Sequence, residues 1–453
     1  MVQTMRVLLS VLEERLEEPT SRALATAVSR AVADGALSPG TKLPSIRAVA
    51  TELALSPTTV SAAWRLLARS GVVATDGRRG TTVLSTTSVH SGRYRRALHL
   101  PATLAQDLST GVPDEKLLPV LGPVLAGLER AGTPSSYLED PVVPELAELL
   151  REDWPYRPEQ LTVVDGAMDG LDLVTRSLLG FGDRVVVEHP CFPPFLDLLE
   201  TLAIDVVAVP VDEEGLNAEL LEEALRSPVT AVIFQPRAQN PTGVSTSRRR
   251  AERLAALLEP TRTLVIEDDS VNGLSPTPAL SLGEWLPAQT VHIRSFSKSH
   301  GPDLRLAGLS GPAELLRPLT IRRHLGQGWS SRLLQRILVG LLTDATAVEQ
   351  VRQAGEEYLR RRRLLVDALA GRRVLVGGVE GINIWVPVQD ESAAIVRLAS
   401  QGIGVSAGAP YAVLPEPRGF IRVTAGLVAE GHDELAEKIA DAAYTSAWGA
   451  RAR

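Results

Sequence analysis

Short apolar runs alternate with helix-like segments through the middle of this 453-residue chain. Five of the runs have the length and composition of β-strands, at residues 161–164, 185–187, 231–234, 263–267 and 290–293. Such alternation is typical of a mostly parallel sheet wrapped by helices, because each helix returns the chain to the same end of the sheet. The pattern therefore predicts an α/β domain. After about residue 330 it changes, and the runs 374–376, 382–386 and 420–423 predict a smaller α+β lobe.

A lysine follows the last of the five runs, in a turn of small polar residues. Lys298 ends the segment Ser295-Phe296-Ser297-Lys298. This position suits an amine that forms an imine with an aldehyde cofactor, although an exposed surface lysine is the ordinary interpretation of one such residue. Pyridoxal phosphate also needs a carboxylate at its pyridine nitrogen, an aromatic side chain over its ring and a cup for its phosphate group. The chain has a candidate for each.

The candidate phosphate cup is a glycine turn between the first run and the helix-like segment after it. N–H groups at a helix start, together with the positive end of the helix dipole, attract a phosphate dianion. An arginine from the lysine loop would add a full charge and paired donors. By itself such a turn is more often an ordinary strand–helix connection. The residues proposed for the cup are Gly166, Ala167, Met168, Ser295, Ser297 and Arg305.

Three more candidates lie just beyond strand-like runs. Asp268 stands where open α/β sheets bind ligands, and an ionised carboxylate there would keep the pyridine nitrogen protonated. Its neighbour Asp269 is an alternative. Phe192 could stack on the ring, or it could simply pack in the core. Asn240, in the segment Asn-Pro-Thr-Gly, could reach the phenolic oxygen of the ring, or it could only form a turn.

In this order the motifs resemble those of the fold-type-I aminotransferases, over roughly residues 107–446. The resemblance implies a large mostly parallel sheet with a small α+β lobe, and pyridoxal 5'-phosphate as the cofactor. It also implies that Lys298 holds the cofactor aldehyde, that Asp268 pairs with the pyridine nitrogen and that Phe192 and Asn240 contact the ring. Two further residues gain expected roles from it. Arg422 would bind a substrate carboxylate, and Tyr137 matches a tyrosine that reaches the phosphate group from the second subunit of a dimer.

The chain departs from this family's pattern after the ring-nitrogen aspartate. The family usually has a tyrosine two or three residues later, and its hydroxyl helps to hold the phenolic oxygen. Here those positions are Ser270 and Val271. We therefore expect transaminase activity to be weak or absent, although Lys298, Asp268 and Arg422 leave a half-transamination possible.

Residues 20–84 have a different pattern, which is typical of a small DNA-binding module. Ser45 is suited to cap one helix, and Ser56 with Pro57 is suited to begin the next. Apolar residues then recur at i, i+3, i+4 and i+7, which predicts one buried stripe. These residues are Val60, Ala63, Trp64 and Leu67.

Polar residues at the start of the second helix are the candidates for contacts with base edges in the major groove. A hairpin is predicted over 72–83, with a basic tip suited to phosphate or minor-groove contact, or merely a solvated turn. Residues 20–84 contain eight Lys or Arg against three Asp or Glu, whereas the whole chain carries a net charge of −7. A basic module on an acidic protein indicates local attraction to phosphate. The proposed DNA contacts are Ser45, Arg47, Ser56, Thr58, Thr59, Ser61, Arg78, Arg79 and Gly80.

The motifs Leu-Pro-Ser-x-Arg at residues 43–47 and Ser-x-Thr-Thr-Val at 56–60 resemble the GntR-type winged helix-turn-helix. A winged helix followed by an aminotransferase-like domain resembles the MocR family of bacterial regulators. That resemblance implies a transcription regulator that binds a double-stranded DNA operator, senses a small amino compound or pyridoxal phosphate, and forms a head-to-tail homodimer. The alternatives are a catalytically active aminotransferase with an appended winged helix, and an aminotransferase whose basic appendage has no DNA role.

The predicted organisation is an N-terminal helical extension (1–19), a winged helix (20–84), a linker (85–106) and an aminotransferase-like domain (107–446). The single cysteine, Cys191, excludes an intramolecular disulfide, and the seven scattered histidines indicate no metal site. No apolar run approaches the ~20 residues of a membrane span. The first 18 residues mix apolar residues with glutamates, unlike a signal peptide. These features predict a cytoplasmic protein.

Overall fold

The computed structural model describes residues 2–16, 18–33, 36–38, 40–69, 72–76, 80–83, 93, 104–130 and 139–445. The chain divides into two compact units, of which the first comprises Met1–Gly92, Leu179–Arg184 and Leu196–Val206 and the second comprises the remainder. Three residues with predicted roles, Arg78, Arg79 and Tyr137, lie outside the described residues.

The described residues of the N-terminal region form four helices and two paired strands. The helices are α1 (Val2–Glu13), α2 (Ser21–Ala33), α3 (Ile46–Glu52) and α4 (Pro57–Arg69). Strands β1 (Val73–Asp76) and β2 (Gly80–Val83) pair antiparallel, as predicted for the hairpin. The predicted stripe on α4 is confirmed, because Val60, Ala63, Trp64 and Leu67 are all buried in the core of this region. Trp64 is therefore a core residue.

Both predicted helix starts in this region are also found. Ser45 Oγ accepts a hydrogen bond from the N–H of Ala48 at 3.3 Å, and Ser56 Oγ accepts one from Thr59 at 3.0 Å. Between the two helices Ala54 adopts a left-handed conformation with φ of 51°. This tight break separates α3 from α4, as expected of a helix-turn-helix.

One eight-stranded sheet forms the centre of the large domain. Its strands are β4 (Gln160–Val164), β5 (Arg184–His189), β6 (Asp205–Asp212), β7 (Gly215–Leu216), β8 (Ala231–Phe234), β9 (Leu264–Asp269), β10 (Thr290–Ser295) and β11 (Ala307–Gly311). Their spatial order is β4, β11, β10, β9, β8, β5, β6, β7. Strands β5, β8, β9 and β10 run parallel, and β11 is antiparallel to both of its neighbours. All five predicted strands are therefore present, in a mostly parallel sheet.

The helices of the large domain are α5 (Gly122–Ala126), α6 (Pro144–Glu152), α7 (Ala167–Leu178), α8 (Pro193–Thr201), α9 (Ala218–Ala224), α10 (Arg248–Leu258), α11 (Ala313–His324), α12 (Arg332–Thr343) and α13 (Ala345–Ala370). Every residue of β8 and β10 is buried, as expected for central strands that are covered on both faces. No helix among the described residues is long and apolar enough to cross a membrane.

The small lobe contains a three-stranded sheet and two helices. Its sheet has the order β12 (Ile384–Val388), β15 (Gly419–Val423), β14 (Ser406–Ala407), and its helices are α14 (Glu391–Ala399) and α15 (His432–Ala443). A separate two-residue strand, β13 (Ile403–Gly404), pairs in parallel with β3 (Gln106–Asp107). Gln106, the last residue of the predicted linker, is thus already paired with the small lobe.

One predicted strand of the small lobe is wrong. Residues 374–376 form no strand, and Leu375 keeps 75% of its surface exposed. The N–H of Val374 instead bonds to the carbonyl of Leu369 at the end of α13, and Gly378 soon turns the chain at φ of 72°. The segment therefore closes a helix end and leads into a turn, and its apolar side chains do not reflect a β-sheet.

Candidate cofactor site and nucleic-acid interface

The carboxyl ends of the parallel strands bring the predicted cofactor residues to one edge of the large sheet. Strand β10 ends at Ser295, three residues before Lys298, and β9 ends at Asp269. The Lys298 Nζ donates a hydrogen bond to Ser270 Oγ at 3.1 Å. Burial lowers the pKa of Lys298 to about 8, while the Asp268 carboxylate raises it and the Arg422 guanidinium lowers it further. A larger fraction of this amine is therefore neutral, and so nucleophilic, than in an exposed lysine.

Asp268 is buried and has one carboxylate oxygen available. Its Oδ2 accepts a hydrogen bond from Gln235 Nε2 at 2.7 Å, whereas its Oδ1 has no hydrogen-bond partner within the described part of the chain. Burial raises the pKa of Asp268, and the Gln235 amide and the Lys298 charge oppose that rise. A buried, unpaired carboxylate oxygen is costly unless a ligand satisfies it. The N–H of a protonated pyridine ring is a donor that fits this oxygen.

The alternative carboxylate, Asp269, is paired with an arginine, although its Oδ1, like that of Asp268, has no hydrogen-bond partner in the described part of the chain. Arg237 Nη2 donates to Asp269 Oδ2 at 2.5 Å. Burial alone would raise the pKa of Asp269, but Arg237 and His292 hold that pKa below its ordinary value. Successive residues of a strand point to opposite faces of the sheet, so only one of the two aspartates can face Lys298. The geometry favours Asp268.

The glycine turn of the predicted phosphate cup lies where β4 meets α7. Gly166 has φ of 97°, and a Cβ added there would lie 2.9 Å from Arg305 Nη2. The same Arg305 nitrogen donates to the carbonyl of Asp165 at 3.1 Å. Helix α7 begins at Ala167, so Met168 also lies in its first turn, where N–H groups have no intrahelical partner. Arginine donors and helix N–H groups therefore meet at this turn.

The two serines of the predicted cup lie on the neighbouring side of the same edge. Ser295 pairs with Ala307 across β10 and β11, and Ala307 pairs with Val164 on β4. Ser295 is therefore about two strand spacings, ~10 Å, from the end of β4. Its hydroxyl accepts a hydrogen bond from the N–H of Ser297 at 3.3 Å, which tightens the lysine turn.

Phe192 and Asn240 are the two residues predicted to contact the cofactor ring. Phe192 is half-buried and packs against the buried pair Trp385 and Tyr411, which accords with a packing role. It also lines a small cavity of about 20 Å³ together with Asp268, which accords with a place at the cofactor site. The N–H of Asn240 donates to Gln235 Oε1 at 2.7 Å, so its loop is tied to the same network.

Arg422 lies in β15 of the small lobe and is almost fully buried. It donates to the carbonyl of Ser109, and its Nη1 lies 3.4 Å from Asn240 Oδ1. Its guanidinium carbon lies 5.4 Å from the ring centre of Tyr411. The Nε atom has no hydrogen-bond partner, and no carboxylate forms an ion pair with Arg422 in the part of the chain that the structure describes. A buried cation without an anionic partner is the expected form of a carboxylate-binding residue.

These residues fit pyridoxal phosphate. The buried amine with a lowered pKa matches the cofactor aldehyde, and the buried carboxylate with an unpaired oxygen matches the ring nitrogen. The glycine turn beside an arginine matches the phosphate group. When bound, this cofactor supplies an electrophilic aldehyde and an electron-accepting ring.

The sequence patterns predicted no role in the site for two residues, Gln235 and Ser270. Gln235 contacts both Asp268 and the Asn240 loop. It directly follows the apolar run 231–234, and this position at the end of a parallel strand was the available signal. Ser270 was noted only as a missing tyrosine, yet its hydroxyl is the hydrogen-bond partner of Lys298.

Six of the predicted DNA-contacting residues lie at the starts of α3 and α4, namely Ser45, Arg47, Ser56, Thr58, Thr59 and Ser61. Ser56 Oγ lies 2.6 Å from Thr58 Oγ1 and 2.8 Å from Thr59 Oγ1, which forms a hydroxyl cluster. Thr58 and Ser56 are exposed, while Thr59 and Ser61 are half-buried. This arrangement matches the end of a recognition helix that reaches base edges.

Three other predicted contacts are Ser45, Arg47 and Gly80. Ser45 and Arg47 are exposed at the start of α3. Gly80 begins β2 with φ of 90°, and a Cβ added there would lie 3.1 Å from Lys42 Cε. Lys42 is exposed and adds a further cation beside the hairpin.

Two family profiles match successive parts of the chain. That of the bacterial regulatory proteins of the gntR family matches residues 20–83, and that of aminotransferase class I and II matches residues 107–439. The fold also resembles Pyrococcus horikoshii kynurenine aminotransferase, with a TM-score of 0.68 at 23% identity over 76% of this chain and 92% of that one.

Two regulators are similar along nearly their whole length. The chain is 34% identical over 424 residues to the vitamin B6 salvage pathway transcriptional repressor PtsJ of Salmonella typhimurium, covering 90% of this chain and 95% of that protein. It is 29% identical over 416 residues to the HTH-type pyridoxine biosynthesis transcriptional regulator PdxR of Corynebacterium glutamicum, covering 87% and 89%.

The fold and the site thus define a class I and II aminotransferase domain preceded by a GntR-type winged helix. The chain belongs to the MocR-type transcription regulators, which join these two parts in this order. It is a DNA-binding regulator, and pyridoxal phosphate is the cofactor of its aminotransferase domain. The predicted fold class, family and cofactor are confirmed.

Proposed function

We propose that this protein changes its DNA affinity when pyridoxal phosphate occupies the site at Lys298, and that a carboxylate-bearing amino compound binds beside the cofactor at Arg422. The convergence of three groups carries this proposal. Lys298 has a lowered pKa, Asp268 has an unpaired buried oxygen, and Arg422 is a buried cation near enough to lower the pKa of Lys298. Pyridoxal phosphate supplies the aldehyde for Lys298 and the ring nitrogen for Asp268, and the amino compound supplies the carboxylate for Arg422.

Each residue has one part in holding these ligands. Lys298 holds the cofactor aldehyde, and Asp268 keeps a proton on the ring nitrogen. Phe192 covers the ring face, and Asn240 donates to the phenolic oxygen. The phosphate group binds to Gly166, Ala167, Met168, Ser295, Ser297 and Arg305, and Tyr137 reaches it from the second subunit of a dimer.

The target genes of this protein encode steps of vitamin B6 supply. PtsJ is named a repressor of vitamin B6 salvage, and PdxR is named a regulator of pyridoxine biosynthesis. A regulator of cofactor supply that itself holds the cofactor measures the end product directly. On this basis pyridoxal phosphate is the primary signal, and the amino compound at Arg422 modifies the response.

The protein acts as a head-to-tail homodimer. Apolar side chains are exposed on two helices of the large domain that contact each other, with Val124 of α5 packed against Gly340 of α12. Leu121 and Leu125 are exposed at α5, and Leu333 is 60% exposed on α12. Adjoining exposed apolar residues favour a protein–protein contact. A second copy of the chain would cover them.

The DNA-binding part is the winged helix at residues 20–84, which follows an extension at 1–19 and precedes a linker at 85–106 and the domain at 107–446. Thr58, Thr59 and Ser61, with the Ser56 cap, contact base edges. The starts of α3 and the hairpin contact phosphates through Ser45, Arg47, Arg78, Arg79 and Gly80. The separation of base contacts from phosphate contacts follows the usual division between specificity and affinity.

Binding of the full-length protein to DNA upstream of its own gene and of vitamin B6 genes tests this function. The protein without cofactor is compared with the protein saturated with pyridoxal phosphate. Lys298→Ala should abolish the difference, because the aldehyde then has no amine to hold it. Lys438→Ala, which removes a surface lysine paired with Glu434, is the matched control and should retain the difference. A cofactor effect that survives in Lys298→Ala would contradict the proposal.

The alternative function, a catalytically active aminotransferase, is tested with the same protein. The absence of a tyrosine at Ser270 and Val271 leads us to expect no steady conversion of amino acids to keto acids. Multiple turnovers with an amino acid and a keto acid would assign the chain to the enzymes. Conversion of a single equivalent of cofactor would remain compatible with a regulator.

A further inference from the structure

Gln235 makes three buried hydrogen bonds at the centre of the cofactor site. Its Nε2 donates to Asp268 Oδ2 at 2.7 Å, and its Oε1 accepts from the N–H of Asn240 at 2.7 Å. Its own N–H donates to Glu188 Oε2 at 3.0 Å. The side-chain amide is therefore held by Asp268 and Asn240, and the backbone N–H is held by Glu188.

Only an uncharged amide satisfies both partners of this side chain. The carboxylate of Asp268 requires a donor, whereas the N–H of Asn240 requires an acceptor, so the two ends of the amide cannot exchange. Glutamate has the same shape, but it would place a second carboxylate against Asp268. Leucine would leave Asn240 and Asp268 without these partners.

The network continues from Asn240 to the small lobe. Asn240 Oδ1 lies 3.4 Å from Arg422 Nη1 and 3.5 Å from Asn383 Nδ2. Both contacts are long for hydrogen bonds, so a stronger acceptor can displace them. The path from Asp268 through Gln235 and Asn240 to Arg422 thus has short, buried bonds at the cofactor end and weak ones at the carboxylate end.

We propose that Gln235 is a positioning residue that couples the ring-nitrogen carboxylate of the cofactor site to the carboxylate site at Arg422. This inference rests on the proposed function, in which Arg422 binds the carboxylate of an amino compound. A bound carboxylate takes donors of Arg422 and loosens its contact with Asn240. The Asn240 loop then moves, and its N–H moves with it. The Gln235 side chain follows this N–H, so its Nε2 donor changes position relative to Asp268. By linkage, the cofactor must change carboxylate affinity by the same factor.

The test measures the affinity for pyridoxal phosphate with and without propionate, which has a carboxylate but no amine to react with the cofactor. The ratio of the two dissociation constants is the coupling factor. We expect a factor of about 5 or more in the unmodified protein and near one in Gln235→Leu. Gln289→Leu is the control, because it removes an amide that bonds only to the carbonyl of Thr261 among the contacts described, and it should retain the factor.

A second variant separates coupling from folding. Gln235→Glu keeps the shape of the side chain, so it decides the question if Gln235→Leu does not fold. It should also reduce the coupling factor, and the cofactor's visible absorbance should change with pH over a different range, because two adjacent carboxylates share a proton. A merely structural role for Gln235 would change the cofactor affinity equally with and without propionate, and would leave the coupling factor unchanged.

The outcomes distinguish failure of this inference from failure of the proposed function. A coupling factor of one in the unmodified protein, or an unchanged factor in both Gln235 variants, overturns the inference. In that second case a loss of the propionate effect in Arg422→Gln would leave the proposed carboxylate site standing. A propionate effect that survives in Arg422→Gln places the carboxylate elsewhere and overturns both.

Discussion

The rate at which Lys298 captures the cofactor aldehyde should rise with pH and level off near the pKa of its amine. Only the neutral amine attacks an aldehyde. Burial lowers the pKa of Lys298 from 10.5 to about 8. At pH 7 roughly 9% of an amine with that pKa is neutral, against roughly 0.03% of an exposed lysine, so burial should accelerate capture by at most about 300-fold. Below the pKa the rate should rise about tenfold for each pH unit.

Two substitutions should move the midpoint of this profile in opposite directions. The Asp268 carboxylate raises the pKa of Lys298, so Asp268→Asn should shift the midpoint to lower pH. The Arg422 guanidinium lowers that pKa, so Arg422→Gln should shift the midpoint to higher pH. Opposite shifts would not arise from a general loosening of the site, which would bring both midpoints toward that of an exposed lysine.

Rapid mixing of cofactor-free protein with saturating pyridoxal phosphate, followed by visible absorbance, gives the rate at each pH. Borohydride reduction and mass measurement check that the cofactor is attached to the protein, and Lys298→Ala is the control that should show no attachment. A midpoint near the ordinary lysine value of 10.5 would refute the burial argument. Equal midpoints in the unmodified protein and both charge variants would refute the placement of Asp268 and Arg422 around the amine.

Three further predictions concern the phosphate cup, the DNA surface and the dimer. Gly166→Ala places a side chain at φ of 97° and should weaken cofactor binding by about 5- to 150-fold, or about 1–3 kcal/mol, by titration. Gly122→Ala, which meets nothing within 4 Å, should leave that affinity unchanged, and equal losses in both variants would argue against the cup. Arg47→Gln should weaken binding to all DNA sequences and reduce the salt slope by about one, whereas Thr58→Ala should relax sequence preference in a binding-site selection. The DNA assignments fail if the two variants behave alike. Leu125→Glu should dissociate the dimer in sedimentation, and a dimer that persists would place the interface on another surface.

Local patterns were sufficient to predict most of the fold. Apolar runs of four or five residues became β4, β8, β9 and β10 because strands of a covered parallel sheet are apolar on both faces. Ser45 and Ser56 capped helices as predicted, since a cap depends on residues only three positions apart. Residues 374–376 show the limit of such patterns. The same apolar composition suits a strand or a helix-closing segment, and only the carbonyl of Leu369 decided between them.

The sequence by itself determined which residue types stand at the ends of the strands, and therefore which chemistry is available: an amine at Lys298, a carboxylate at Asp268 or Asp269, and a cation at Arg422. Tertiary structure decided how these groups are used. Arg237, 32 residues from Asp269, forms an ion pair with that carboxylate, whereas the uncharged amide of Gln235 is the hydrogen-bond partner of Asp268. Arg422 bonds to Ser109 across 313 positions of sequence. Contacts between such distant residues depend on the packing of whole elements, which no local pattern of sequence specifies.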